Sequence, residues 1–317
     1  MVQQITPAVL SSINLGVSTA FNRQFGLSPS FYKRFCYEAP STGSGEFYPR
    51  LDLLPGLREW IGDREINMLS QTNFQIMNRT FEGTIAVKRE DIEDDKFGIL
   101  APAAEQLGQN AGNLPDLLVA QLLKNGHATP TYDGQNFFDV AHPDYTGIGA
   151  AGGASATTSA NYFTANIPAG EVNGAPWYLF DTRQILKAVI FQTRRAFDVI
   201  AKFNPEDPDV FWQNQYVWGV DGRCSAGFGI WQTAVMSTAP LNQKNFALAR
   251  TAMASHHRPD GSPLAILPTL CVVPTALLGN AKTTFGAYAD SSINATTTVM
   301  ENPWKDACEI LENPWLN

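Results

Sequence analysis

Four histidines, four cysteines and one acidic run are the residues of this 317-residue chain best suited to chemistry. Their spacing argues against it. His127 and His142 stand alone, and His256 and His257 are adjacent. Two zinc-binding histidines on a helix need a spacing of four, because only then do both imidazoles share a face. With no cysteine or carboxylate cluster beside it, the pair reads as exposed loop histidines. His142 sits in the turn-like string Asp139-Val140-Ala141-His142-Pro143-Asp144, without a nucleophile to serve. Cys36, Cys224, Cys271 and Cys308 form no Cys-x-x-Cys pair and read as buried free thiols in a reducing compartment. The run Glu90-Asp91-Ile92-Glu93-Asp94-Asp95 lacks the alternating ligands of a calcium loop. The glycines at 147–153 lack the Lys-Ser/Thr ending of a phosphate loop, and no Gly-x-Ser-x-Gly elbow occurs. No catalytic, cofactor-binding or metal-binding residue is assigned, and the chain reads as a non-enzyme.

The chemistry that remains is contact. Leu57-Arg58-Glu59-Trp60-Ile61-Gly62-Asp63-Arg64 packs four charges and a tryptophan into eight residues, in a chain only 16% charged. An exposed loop has no need of Trp60 and Ile61, and a buried core does not tolerate the charges. A contact between subunits satisfies both, with Trp60 as anchor and Arg58 and Arg64 as forked donors, beside Glu59 and Asp63. Asp91, Glu93, Asp94 and Asp95 on a neighbour are candidate acceptors. The plainer reading of that acidic run is a solvated helix start.

The elements that must position this segment follow from the apolar pattern. Residues 1–40 read as an arm: Thr6-Pro7 starts a short helix, and its thin apolar content requires it to lie on its own body or on a neighbour. Residues 41–90 read as a long β-hairpin whose alternation changes phase between Asn78 and Phe81, as a bulge or strong twist would produce. Residues 91–126 read as a long helix, with Leu100, Leu107, Leu114, Leu118 and Leu122 among its stripe; Gly112 and Pro115 predict a kink or a division into two helices. The Gly/Ala/Ser/Thr stretch at 147–159 is a surface loop. Strands dominate 177–191 and 210–233. A helix capped by Asn242 turns Phe246, Ala249 and Met253 inward, 264–273 is a buried strand, and Pro274 opens another helix. The tail repeats Asn302-Pro303-Trp304 as Asn313-Pro314-Trp315.

Bulk composition agrees with a self-associating protein. The hydrophobic share is 44%, and the charged share of 16% falls well below the roughly 25% of ordinary soluble domains. A net charge of −8 without a run of basic residues speaks against tight nucleic-acid binding. The start lacks the basic and apolar regions of a signal peptide, and no stretch reaches roughly 18 uninterrupted apolar residues. The expectation is a protein made and kept in cytoplasm.

Several strings, in order, resemble the major head subunit family of Mu-like bacteriophages. They are the 57–64 segment; Phe81-Glu82-Gly83-Thr84-Ile85-Ala86-Val87 with the acidic run behind it; Tyr132-Asp133-Gly134-Gln135-Asn136-Phe137-Phe138-Asp139 with His142-Pro143; Tyr216-Val217-Trp218-Gly219-Val220-Asp221-Gly222-Arg223; Pro268-Thr269-Leu270-Cys271-Val272-Val273-Pro274; and the two Asn-Pro-Trp tripeptides. The resemblance implies an α+β chain with the Hong Kong 97 phage major capsid fold. Its parts would be an N-terminal arm (1–40), an E-loop hairpin (41–90), a peripheral domain with a spine helix (91–180), an axial domain (181–290) and a C-terminal segment returning to the peripheral domain (291–317).

The implied function is a major capsid protein that assembles as hexamers and pentamers into an icosahedral shell around phage double-stranded DNA, in the host cytoplasm. No sequence-specific DNA binding and no membrane are involved. No charged helical leader precedes the arm, so the implied partners are a separate scaffold, a portal and decoration proteins. Some relatives of this fold cross-link through a hairpin lysine; none stands between Phe47 and Val87 here, so that chemistry is not carried over. Two other self-assembling readings share features: an encapsulin-like nanocompartment shell, and a phage tail-tube subunit, against which the spine-like helix counts.

Overall fold

Thr6 caps the first helix as its position predicts: its Oγ1 accepts from the Val9 amide at 3.4 Å, and Pro7 stands where a missing N–H costs nothing. The computed structural model describes residues 6–48, 75–93, 100–144, 157–166, 169–204, 207–258, 262–286 and 302–317. Helix α1 (Pro7–Leu27) runs for 21 residues, far longer than the short helix expected. Burial of Leu10, Val17, Ala20 and Phe21 explains the length, since packing rather than propensity sustains most helices.

Strands β1 (Cys36–Pro40), β2 (Gly45–Phe47), β3 (Gln75–Met77) and β4 (Arg79–Lys88) follow. The phase change at Asn78 is neither bulge nor twist. β3 pairs with β2, whereas β4 leaves that pair and joins a different sheet, so the two sides of Asn78 answer to different neighbours. The expected helix over 91–126 is in fact α2 (Arg89–Glu93) and, from Leu100, α3 (Leu100–Lys124). The acidic run therefore opens α2. Helix α3 continues through Gly112 and Pro115 as one helix. The backbone bond that Pro115 forfeits is outweighed by the burial of Leu118, Val119 and Leu123 beyond it and of Leu100, Ala104 and Ala111 before it.

Next come β5 (His142–Asp144), β6 (Thr157–Ser159), β7 (Tyr162–Phe163), β8 (Trp177–Phe180), β9 (Val189–Lys202), α4 (Pro208–Gln213) and β10 (Gln215–Phe228). Two expectations change here. The end of the 147–159 stretch is strand, because β6 pairs with β5. Val210, expected in a strand, lies in α4, which Pro208 opens. The chain closes with β11 (Ala234–Ser237), α5 (Gln243–Ala254), β12 (Leu270–Val273), α6 (Leu278–Thr284) and β13 (Glu309–Glu312). The buried strand is shorter than the 264–273 expected, while α5 begins at its Asn242 cap as read. The repeated Asn-Pro-Trp is a repeated turn: Asn302 Oδ1 accepts from the Trp304 amide at 2.9 Å, and Asn313 Oδ1 from the Trp315 amide at 3.1 Å.

A four-stranded sheet has the order β1-β9-β10-β4, and a five-stranded sheet the order β13-β12-β8-β11-β7. The uninterrupted apolar run of β8 is explained by two cores. Tyr178 and Phe180 face one, with α3, Phe137, Phe228 and Trp231. Trp177 and Leu179 face the other, with Phe246 and Met253 of α5 and Phe285 after α6. A strand covered on both faces needs no polar alternation. A third core, built from Leu10, Ile92, Leu100, Val210 and Trp218, joins α1, α2 and α4 to the four-stranded sheet.

Candidate assembly site

Helices α1 and α3 come together through small residues. Gly108 and Gly112 lie one turn apart on α3, facing α1. A Cβ on Gly108 would run into the Phe21 carbonyl, and one on Gly112 would stand 2.5 Å from the Ser28 side chain. Where α1 ends, the chain is pinned by Asp116. This carboxylate is 1% exposed, and its two oxygens accept from the amides of Tyr32 (2.7 Å) and Phe31 (3.2 Å). Burial pushes its pKa up, and the two amides pull it partly back. Asn14 of α1 accepts from the Trp218 indole at 3.2 Å, and Arg23 pairs with Glu105. Of the two placements open to the arm, residues 7–27 take their own body.

The hairpin root is fixed as firmly. Asn78 donates to Ser41 Oγ (2.7 Å) and to the Gly43 carbonyl (3.1 Å), and it accepts from the fully buried Gln192 (2.7 Å). Gln192 also donates to the Ile76 carbonyl and accepts from the Tyr48 hydroxyl. Glu46 folds back over the turn and accepts from the amides of Gly43 and Thr42 and from Ser41 Oγ; these donors hold its carboxyl below the usual range. Such a network anchors a hairpin that would be marginal alone.

Of the contact residues named from sequence, Arg58, Glu59, Trp60, Asp63 and Arg64 lie outside the described residues, as do Asp94 and Asp95. Asp91 is half-buried on α2, and Glu93 is its last residue. The placement of α2 directly after β4 puts Asp91 one strand away from the hairpin root.

The histidines require a correction. His256 is not an exposed loop residue: it is 1% exposed, edge-on to Trp231 at 5.0 Å. Among the described residues neither of its ring nitrogens has a partner, and burial lowers its pKa to about 4, which favours the neutral ring at pH 7. His142 is also fully buried and stacks flat on Trp231, with ring centroids 3.9 Å apart. Its Nδ1 meets Asp133 Oδ2 at 2.7 Å and its Nε2 the Phe137 carbonyl at 3.3 Å. With both nitrogens engaged and the ring covered, His142 is a pin for the 133–144 turn, not a base. The Ser159 hydroxyl donates to Asp144 Oδ2 at 2.7 Å and ties β6 to β5. Sequence held no signal for this cluster, because Trp231 is remote from both histidines along the chain. Among the described residues, no three potential ligands group to hold a metal, and no helix is long and apolar enough to cross a membrane. All four cysteines are free and buried.

Comparison with known proteins gives this scaffold a context. The family described as Mu-like prophage major head subunit gpT matches residues 10–316. The major capsid protein of Escherichia phage Mu is 35% identical over 273 residues, covering 86% of this chain and 88% of the relative. Among solved structures, a subunit of the bacteriophage JBD30 procapsid superposes with a TM-score of 0.78 at 39% identity, covering 98% of this chain and 100% of that one. A subunit of the JBD30 capsid decorated with minor capsid protein trimers superposes with a TM-score of 0.73 at 28% identity, covering 99% of each chain.

Proposed function

The chain belongs to the family of Mu-like prophage major head subunits, and on that premise we propose how its copies build a shell. It is a phage major capsid protein with the Hong Kong 97-type fold, a structural component of the virion capsid rather than an enzyme. The observation that carries this is the end-to-end likeness to a procapsid subunit, which holds at 39% identity over 98% of this chain.

In our reading, residues 181–290 form an axial domain that gathers copies into hexamers and pentamers. The peripheral domain, residues 91–180 with spine helix α3, is rejoined by 291–317. The 41–90 hairpin lies over the spine helix of the next copy, held by Arg58, Glu59, Trp60, Asp63 and Arg64, with Asp91, Glu93, Asp94 and Asp95 as acceptors. Because α1 covers its own spine, arm contact with a neighbour falls to the exposed face of that helix, where Leu15 and Leu27 stand. A separate scaffold and a portal complete the assembly in the host cytoplasm, and the shell encloses double-stranded DNA without reading its sequence. Decoration by a minor capsid protein, which the JBD30 capsid carries, belongs to the same reading.

Trp60→Ala and Arg64→Ala test the latch. Each variant should melt nearly as the wild type does, yet form few shells at a concentration where the wild type assembles. Normal assembly of either variant, or unfolding of its monomer, removes that residue from the latch.

A further inference from the structure

The two ends of the long β9–β10 pair differ in shape. At one end, the short helix α4 carries Phe211 and Trp212 at 71% and 80% exposure, their rings edge-to-face at 5.1 Å. This is a held knob rather than a loose loop. Val210 between Asp209 and Phe211 is buried with Tyr216 and Trp218, the Phe211 amide bonds the Asp207 carbonyl at 3.0 Å, and Asn214 closes the helix in the left-handed region at φ 52°. At the other end, a cleft of about 320 Å³ opens where β9 begins, lined by Tyr37, Pro40, Phe47, Tyr48, Ile185 and Ile190. Tyr37, Phe47 and Ile185 are exposed there.

We propose that the Phe211–Trp212 knob of one copy seats in the hairpin-root cleft of a neighbouring copy, a head-to-tail contact of the shell. A knob that fills the cleft must come from another chain: the run from Ile190 to Lys202 along β9 spans about 40 Å at the usual rise per residue. A knob and a cleft on opposite ends of the same strand pair make a heterologous contact that can repeat around a closed assembly. Size agrees, because buried aromatic anchors fill pockets at the centre of interfaces. Charge agrees as well. The knob's helix opens at Asp207, and residues 207–214 contain no lysine or arginine. The cleft carries Lys187, whose ammonium reaches the Cys36 carbonyl at 3.3 Å and has no ion-pair partner among the described residues. The carboxylate of the cleft wall, Glu46, is already occupied by Ser41, Thr42 and Gly43. The two aromatic side chains offer on the order of 300 Å², well short of the ~800 Å² per partner of a stable interface. The contact therefore does not dimerise free subunits; it forms where other contacts already align the copies. The proposal rests on the shell reading above.

The test uses the full chain under conditions in which the wild type forms shells. Copies carrying Trp212→Cys and copies carrying Ile185→Cys are mixed, assembled and oxidised. A covalent dimer containing one of each is expected on a non-reducing gel, absent from shells of either variant alone and from unassembled mixtures. Trp212→Ser should cut shell yield about tenfold at fixed concentration, with melting unchanged. The proposal is overturned if Trp212→Cys shells cross-link to themselves, since the knob then meets another knob. It is equally overturned if mixed shells form without the dimer, as when residues 49–74 of the same chain fill the cleft. In both cases the shell reading stands. Failure of the wild type to form shells under every condition overturns that reading and this contact together.

Discussion

Tyr32 and Asp116 are 84 positions apart, and the Tyr32 amide donates to Asp116 Oδ1 at 2.7 Å. With the Phe31 amide on Oδ2, this single carboxylate holds the elbow where the arm leaves α1 and turns into β1. Residues 7–40 thus belong to the folded chain, with α1 packed along α3.

Asp116→Ala leaves two amides without their acceptor in a buried site and should cost about 2–4 kcal/mol, read from urea unfolding. Asp116→Asn keeps one oxygen acceptor and should cost less. An alanine variant within ~0.5 kcal/mol of wild type, the scatter of ordinary surface changes, would show that the elbow is held elsewhere.

Gly108→Ala sets helix propensity against packing. Propensity alone would favour alanine by up to about 1 kcal/mol, but the Cβ collides with the Phe21 carbonyl, and overpacking costs roughly 1–3 kcal/mol. Net destabilisation is expected. Gly16→Ala on α1, where nothing lies within 4 Å of the added carbon, is the control and should stabilise. If both variants gain stability, the close approach of α1 to α3 is refuted.

This pair also shows where the sequence was legible. The stripe of α3, the Asn242 cap and the inward set Phe246, Ala249 and Met253 follow from local spacing, and they stand as read. Gly112 and Pro115 predict a break because local rules count only the backbone cost of glycine and proline; the use of Gly112 depends on Ser28, just beyond the end of α1. The phase change at Asn78 was visible, but its cause, a change of sheet, is a long-range fact. The charged segment at 57–64 stood out by composition. The Phe211–Trp212 knob did not, since exposure of an aromatic pair cannot be told from burial without its neighbours.

His256 makes stability sensitive to acid. Its folded pKa of about 4 lies below the unfolded value near 6.5, so the unfolded chain binds the extra proton between those limits. Stability from this group is complete above about pH 6.5, falls as pH drops towards 4, and changes no further below. The full loss is on the order of 3 kcal/mol. Among the described residues the titratable groups beside it are Asp144, which favours protonation of His256, and His142 and His257, which oppose it. His256→Phe should flatten the urea midpoint over that window. An unchanged acid slope would show that another group is responsible.

Shell formation is the central claim, and electron microscopy of the purified full-length chain, with light scattering on the same sample, tests it most directly. Assembled with and without a scaffold protein, the chain should give rings or closed shells with six- and five-fold units. A compact monomer under every salt and scaffold condition would contradict the account.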